Sequence, residues 1–373
     1  MDFSFTQEQR MLGDLVGGWL RDNYDFDARQ KAMNSPDGWR PEVWKTFAQE
    51  LGVLGAAFPE SAGGLGGGPV EAMVIAEQLG AHLFIEPYLE SVVLAGALLK
   101  HSGWSEADAW LGRIASAEAI LAVALGEPGG RYDLFDVSTT ARRSGDNWVL
   151  DGRKAVVHAG PFADHLLVTA RTSCERRDRS GVAVFLVDKA ASGVTTRDYP
   201  TVDGRRASEI QFDGVPAVAT VADETTGLAL VERAVDEATC AACAEAVGVL
   251  RRMHKDTMDY ARQRKQFGRP ISDFQVIQHR LVDMMMLIEQ SVSTTYYATL
   301  MLDAPAPDRA RAVSAAKVQA AKALRLVGQE AVQIHGGIGM TSELALGWYF
   351  KRGTVIEGLY GDADHHLERF ART

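Results

Sequence analysis

The chain has little cysteine, no long apolar run and no excess of positive charge, and each shortage removes a class of protein. Three cysteines in 373 residues, Cys174, Cys240 and Cys243, are too few for a disulfide framework. Cys240 and Cys243 form a C-x-x-C, a spacing used in redox and zinc sites. They lie in an alanine-rich helical stretch without a second ligand pair nearby, so they read as small core-facing thiols. A net charge of −10 argues against nucleic-acid binding, which draws on a basic face. No apolar run reaches the roughly 18 residues of a membrane span. The first residues, Met1-Asp2-Phe3-Ser4-Phe5, lack the basic and apolar regions of a signal peptide, so the cytoplasm is the expected location. What remains is 46% hydrophobic and 24% charged, an ordinary globular composition in a chain long enough for two or three subdomains.

Periodicity divides the chain into three. Residues 1–118 read as helices: Met11, Leu12, Leu15, Val16 and Leu20 recur at spacings of three and four and predict one buried face. Further helices are expected over 41–52, 69–80 and 89–101. The Gly63–Gly68 run lacks the Lys-Ser/Thr of a phosphate-binding P-loop and reads as a tight inter-helix turn. Residues 119–222 carry seven short β-rich segments, 120–124, 137–142, 148–150, 155–158, 166–170, 182–187 and 209–212. Turn signals such as Ser144–Asn147 and Asp151-Gly152 separate them, which predicts a small barrel or sandwich. Over 223–373 the pattern is helical again, in long segments near 231–263, 273–302, 308–335 and 341–370, as in a four-helix bundle. The fold class is α+β: a helical N-terminal domain, a β middle domain and a C-terminal bundle.

Two stretches in the last third carry the chemistry. Arg251, Arg252, Lys255, Arg262, Arg264 and Lys265 concentrate positive charge toward one helix end of an acidic protein. Such a cluster suits a solvated face with favourable charge–dipole contacts. It also suits a guanidinium gripping a pyrophosphate through two donors beside a glycine turn, here Arg264-Lys265-Gln266-Phe267-Gly268 with Pro270 beyond. Composition does not separate these readings. The second stretch, Gln333-Ile334-His335-Gly336-Gly337, closes another helical pattern with glycines, which let backbone N–H groups approach phosphate oxygens.

Together, about 70 residues apart and between bundle helices, these stretches resemble the acyl-CoA dehydrogenase family, and the resemblance spans the whole chain. Arg264, Gln266, Phe267 and Gln275 match the Arg-x-x-Phe-Gly segment and the glutamine eleven residues after its arginine. In the family this segment reaches the pyrophosphate and adenosine of an FAD whose isoalloxazine ring lies mainly in another subunit. Gln333, Ile334, His335, Gly336 and Gly337 match the family's Gln-x-x-Gly-Gly turn, which lies along the adenosine diphosphate half. The flavin-ring half departs from the pattern. Gly126-Glu127-Pro128-Gly129-Gly130-Arg131-Tyr132-Asp133 stands where the family has a Thr-Glu-Pro-Gly-Ala-Gly-Ser-Asp-like turn, so both hydroxyls are lost. Val156 and His158 occupy the tryptophan and threonine positions of a Lys-x-Trp-Ile-Thr-x-Gly strand. His158 reads as an exposed loop histidine or a donor to flavin.

The resemblance implies α,β-desaturation of an acyl-CoA, with a carboxylate removing the α-proton while hydride leaves the β-carbon for the flavin. The expected glutamate is missing. Aligning Gly361 with the family's glycine puts Tyr360 in its place, and a phenol with pKa near 10 is a poor base at neutral pH. The alternative position, on the first bundle helix, falls on Ala238; Glu237 is adjacent but points about 100° away. Glu245, an acid among alanines and valines, is either a buried base or the partner of an arginine from another helix. Asp362, Asp364, His365 and His366 are crowded without a distant ligand, which suits helix capping and interface contacts better than a metal.

Within the family, the retained and lost motifs resemble one chain of the two-gene, α2β2 enzymes of bacteria. Arg131–Leu134 and Gly361–His366 add to that likeness. The implied partners are a second acyl-CoA dehydrogenase-like subunit, an acyl-CoA substrate and an electron-transfer flavoprotein as acceptor. A self-sufficient homo-oligomer using Glu245 and a flavin-free structural subunit are the alternatives.

Overall fold

The structure, a computed structural model, describes residues 4–341 and 343–373. They form two compact units, one of Met1–Asn34, Pro69–Ile85 and Thr239–Thr373, the other of Ser35–Gly68 and Glu86–Ala238. The N-terminal helices are therefore divided between the units.

Helix α1 (Gln7–Asn23) opens on a reciprocal capping box between Thr6 and Gln9. Helix α2 (Phe26–Met33) opens on Asp25, whose carboxylate accepts from the Ala28 N–H. The buried face of α1 differs from the expectation. Val16, Gly17 and Leu20 are buried, whereas Met11 and Leu15 are exposed. The packed side carries the glycines: a Cβ on Gly13 would lie 3.1 Å from Val74, in the facing helix.

Helix α3 (Pro41–Gln49) belongs to the second unit. The Gly63–Gly68 loop that follows folds onto itself. Its amides at 64, 65, 66 and 67 donate to the carbonyls of Pro59, Gly55, Phe58 and Ala56, which leaves those four N–H groups unavailable to a phosphate. Helix α4 is Pro69–Ala81. The helix expected over 89–101 begins as a wide π-type segment, Tyr88–Ala95, and continues as α5 (Gly96–Ser102), with α6 (Ala107–Ala115) after it.

The middle region forms one mixed sheet of eight strands: β1 (Leu121–Ala124), β2 (Thr140–Ser144), β3 (Asn147–His158), β4 (His165–Arg171), β5 (Val182–Asp188), β6 (Val194–Pro200), β7 (Arg206–Pro216) and β8 (Ala219–Ala222). The order is β6-β7-β3-β2-β4-β5-β8, with β1 parallel on β4. Leu150, Val168, Phe185, Ile210 and Phe212 build its core. Asp151-Gly152 is a bulge rather than a turn, so two expected strands merge into β3. β6 was not foreseen because Val194–Pro200 is largely solvent-facing and shows no apolar alternation. β2 starts at Thr140 rather than at Val137.

Helix α7 (Gly227–Gln263) is followed by a hairpin of β9 (Lys265–Gln266) and β10 (Arg269–Pro270). Then come α8 (Gln275–Leu300), α9 (Ala306–His335), α10 (Leu346–Gly358) and α11 (Ala363–Arg372). α8, α10 and α11 all pack on α9. α4 crosses α7 at two glycines: a Cβ on Gly80 would lie 2.0 Å from the Glu245 carbonyl oxygen, and one on Gly248 would lie 1.9 Å from that of Glu77. The helix expected over 341–370 is broken between Gly358 and Ala363, where Tyr360 (φ 59°) and Gly361 (φ 120°) reverse the chain.

Candidate functional site

Six basic residues mark the end of α7, and their pairing separates the two readings of that cluster. Arg251 pairs with Glu77, Arg252 with Asp256, and Lys255 and Arg262 with Asp259. Those four are committed within the protein, Arg251 to a largely buried carboxylate on α4 and the other three to carboxylates on α7 itself. Arg264 and Lys265 are exposed, and among the described residues their side chains have no hydrogen-bond or ion-pair partner. An arginine left unpaired in a protein with surplus carboxylates is available to an external anion.

The backbone at Arg264 is hydrogen-bonded through both its N–H and its carbonyl. Its N–H donates to the Tyr260 carbonyl at 2.8 Å, and its own carbonyl accepts from Ile271 at 2.8 Å, closing the β9–β10 hairpin. Phe267 (φ 53°) and Gly268 (φ 80°) form the two-residue turn, both left-handed as a tight hairpin with strand twist requires. Phe267 is 92% exposed, and Gln266 and Gln275 are also exposed.

The second stretch closes α9. Gly336 adopts φ 66°, ψ −144°, a conformation that glycine tolerates and side chains do not. Gln333, Gly336 and Gly337 face solvent, whereas Ile334 and His335 are buried. A Cβ placed on Gly336 or Gly337 would meet nothing within 4 Å, so a ligand has room to reach the backbone there. The fold brings the two stretches together through a residue that the motif reading missed. The Tyr260 ring stacks on His335, with centroids 4.3 Å apart at 22°, and its hydroxyl donates to the His335 carbonyl at 3.3 Å. The signal was present in the sequence: Tyr260 lies one helical turn before Arg264 and shares its face.

The expected flavin-ring segment is turned inward at its charged residue. The Glu127 carboxylate accepts from the backbone N–H groups of Ser138 and Thr139 at 2.7 and 3.0 Å and from the Ser138 hydroxyl. It also accepts from Lys154 Nζ at 2.8 Å, in an ion pair with both side chains at 0% exposure. Burial alone would raise the Glu127 pKa, but the Lys154 ammonium and the hydrogen bonds hold it at about 2. His158 is not in a loop. It ends β3, opposite Ala207, and is half-buried.

Each position considered for a base lacks a free carboxylate. Tyr360 holds the left-handed break after α10. Ala238 is fully buried. Glu237 accepts from His101 Nε2 at 2.6 Å, Lys100 Nζ at 3.1 Å and Arg233 Nε at 2.9 Å. Burial opposes its ionisation, but these partners together lower its pKa to about 2. Glu245, expected as either base or ion-pair partner, takes the second role. Arg352 Nε and a terminal nitrogen each donate to one of its carboxylate oxygens at 2.7 Å, and Glu245 is 1% exposed. A base needs an oxygen directed at the substrate proton, and both oxygens of Glu245 are directed at a guanidinium.

The crowded acids and histidines near the end of the chain serve the fold. Asp362 caps α11 by accepting from the His365 N–H at 2.9 Å. His366 lies 3.3 Å from the Ser314 hydroxyl and 3.2 Å from the Tyr360 carbonyl, and burial with the nearby Lys317 charge pushes it down to about 3, so it is neutral. Lys317 donates to the carbonyls of Glu357, Leu359 and Gly361, pinning the backbone beside Tyr360. Cys243 is buried and its thiol is pushed up to about 12, as suits a core residue. Among the described residues no group of three histidines, cysteines or carboxylates is clustered for a metal ion.

Helices, a mixed sheet and a bundle, with an arginine hairpin beside a Gly-Gly turn, match known sequence profiles in the same order. The acyl-CoA dehydrogenase N-terminal domain matches residues 6–118, the middle domain 122–215 and the C-terminal domain 225–373. The chain belongs to the acyl-CoA dehydrogenase family. Members of this family are oxidoreductases that act on CH–CH bonds and use FAD. Acyl-CoA dehydrogenase FadE27 of Mycobacterium tuberculosis (strain ATCC 25618 / H37Rv) is 30% identical over 382 residues, covering 100% of this chain and 98% of that protein. A chain in the crystal structure of the ChsE4–ChsE5 complex from Mycobacterium tuberculosis is 30% identical, with a TM-score of 0.89 and coverage of 100% and 98%. The FAD complex of PigA is 25% identical, with a TM-score of 0.90 and coverage of 100% and 98%.

Proposed function

We propose that this chain is one subunit of a heteromeric, FAD-dependent acyl-CoA dehydrogenase and supplies the grip on the adenosine diphosphate half of the flavin. A second acyl-CoA dehydrogenase-like chain supplies the ring pocket and the base. FAD, when bound, supplies the hydride acceptor for α,β-desaturation of an acyl-CoA thioester.

The observation that carries this reading is a contrast. The Arg264 side chain has no partner among the described residues and the Gly336-Gly337 turn is open to solvent, while every candidate base is absent or locked in an internal ion pair. The residues present fit the cofactor's anionic half. Arg264 offers donors to the pyrophosphate, Gln333 and the glycine turn line the adenosine side, and Gln266, Phe267 and Gln275 flank the arginine on exposed backbone. The likeness to a chain of a complex named for two different proteins supports a mixed assembly. So does the resemblance to the small subunit of pimeloyl-CoA dehydrogenase. An electron-transfer flavoprotein is the acceptor this family implies, and the cytoplasm is the proposed location.

The test is native mass with flavin absorbance, for the chain alone and for the chain co-expressed with its partner. A colourless chain that becomes yellow and active only with the partner supports the proposal, and Arg264→Ala should then weaken flavin retention by about 1.5–3 kcal/mol, the scale of a charge-assisted hydrogen bond. A yellow homo-oligomer that reduces its flavin with an acyl-CoA would overturn it. A mixed complex whose flavin occupancy ignores Arg264→Ala would leave only a structural subunit.

A further inference from the structure

We infer that Tyr260 and His335 are the positioning pair that fixes the spacing between the Arg264 guanidinium and the Gly336-Gly337 turn, and so sets the affinity for the adenosine diphosphate group. This inference rests on the proposed role of those two elements.

One residue touches both halves of the grip. The Tyr260 carbonyl accepts the Arg264 N–H at 2.8 Å, fixing the backbone from which the arginine extends. The Tyr260 side chain meets the last residue of α9 twice, by ring stacking at 4.3 Å and by its hydroxyl to the His335 carbonyl at 3.3 Å. That carbonyl immediately precedes Gly336.

His335 is itself held from the other side. Its Nδ1 faces the Ala331 carbonyl at 2.8 Å, which places the proton on Nδ1 and fixes the ring plane. A Cβ on Gly339 would lie 3.0 Å from the His335 Cβ, so the turn that follows folds closely over this residue. Tyr260 is part-buried and His335 is 6% exposed, so neither ring is presented as a ligand in its own right. Their effect on a bound anion runs through Arg264 and the glycine turn. A ligand that meets the guanidinium and the glycine turn together needs the two at a fixed separation, and the Tyr260–His335 contact ties the end of α7 to the end of α9.

The experiment titrates FAD by flavin fluorescence, with ADP as competitor, against the full chain in the assembly it forms. Tyr260→Phe, Tyr260→Leu, His335→Leu and the double variant Tyr260→Leu/His335→Leu are compared with the unmodified chain and with Arg264→Ala. Tyr260→Leu and His335→Leu should each weaken FAD and ADP about tenfold, the upper range for loss of a stacked pair. Tyr260→Phe should weaken them about two- to fivefold, as loss of one neutral hydrogen bond does. The double variant should be no worse than either single leucine variant, the non-additivity expected of one coupled unit. Loosening of the fold alone would lower the melting temperature without this pattern.

FAD and ADP affinities within twofold of the unmodified chain for both leucine variants would overturn the inference. Should Arg264→Ala weaken binding while the Tyr260 and His335 variants do not, the grip stands and the positioning pair fails. Binding that ignores Arg264→Ala as well would overturn the grip and the inference together.

Discussion

Arg352, on α10, closes on Glu245, on α7, with two parallel hydrogen bonds of 2.7 Å, each nitrogen meeting one carboxylate oxygen. Both side chains are almost wholly buried, at 3% and 1% exposure. Two desolvated charges in this geometry depend on each other. Removing one leaves the other uncompensated, whereas replacing both with apolar groups removes the problem.

Arg352→Met should therefore destabilise the protein by about 3–5 kcal/mol, with the double variant Glu245→Leu/Arg352→Met recovering much of the loss. Urea unfolding of the single and double variants measures this directly. Glu245→Gln that kept full stability while abolishing turnover would restore Glu245 as a base.

The crossing of α4 over α7 admits no side chain. Gly248→Ala would push a methyl group to within 1.9 Å of the Glu77 carbonyl oxygen, and backbone on a packed helix does not move aside as a flexible side chain would. A loss of at least about 1–3 kcal/mol is expected, with a lowered midpoint in thermal unfolding. A melting temperature unchanged by the substitution would show that the crossing is looser than this packing requires.

Gly337 makes the opposite prediction. Open space surrounds its Cβ position, so Gly337→Val should leave the stability of the chain within about 0.5 kcal/mol, as for an unencumbered surface site. The same valine would occupy space needed for close backbone approach, and flavin content of the assembled enzyme should fall. Full flavin content with this variant would remove the glycine turn from the binding site.

Glu237 sets an acid limit on stability. Its folded pKa, about 2, lies below the ordinary carboxylate value of 4.5 because His101, Lys100 and Arg233 outweigh the effect of burial and favour the carboxylate. A depressed acid contributes stability that is present above about pH 4.5 and is lost as pH falls through that value toward 2. The loss should be about 2–3 kcal/mol, and Glu237→Gln should flatten that part of the curve. Stability measured by denaturant between pH 5 and about 2.5 tests it, and parallel curves for the two proteins would assign the acid limb elsewhere.

Much of this protein was legible before any coordinate. The order of helices, strands and bundle follows from periodicity, because burial of one face repeats at a fixed interval along each element. The Arg264–Gly268 and Gln333–Gly337 stretches are local, so their residues and spacing are visible in the sequence, and their role is the proposal made above. That Tyr360 and Ala238 stand at the two positions considered for a base is equally plain in the sequence. Where local signals were weak the reading failed: β6 carries no apolar alternation, Gly152 looked like a turn and is a bulge, and Tyr360-Gly361 broke what looked like one helix.

Tertiary structure alone decided which charges are free. Six basic residues near the end of α7 look alike in sequence, yet four of them meet carboxylates and Arg264 and Lys265 do not. Glu245 finds its arginine 107 residues away, and Tyr260 finds the His335 carbonyl 75 residues away. The physical reason is one of range. Periodicity states that a face is buried, but the partner that satisfies a buried or surface charge comes from another element, and its approach is fixed only when the helices pack.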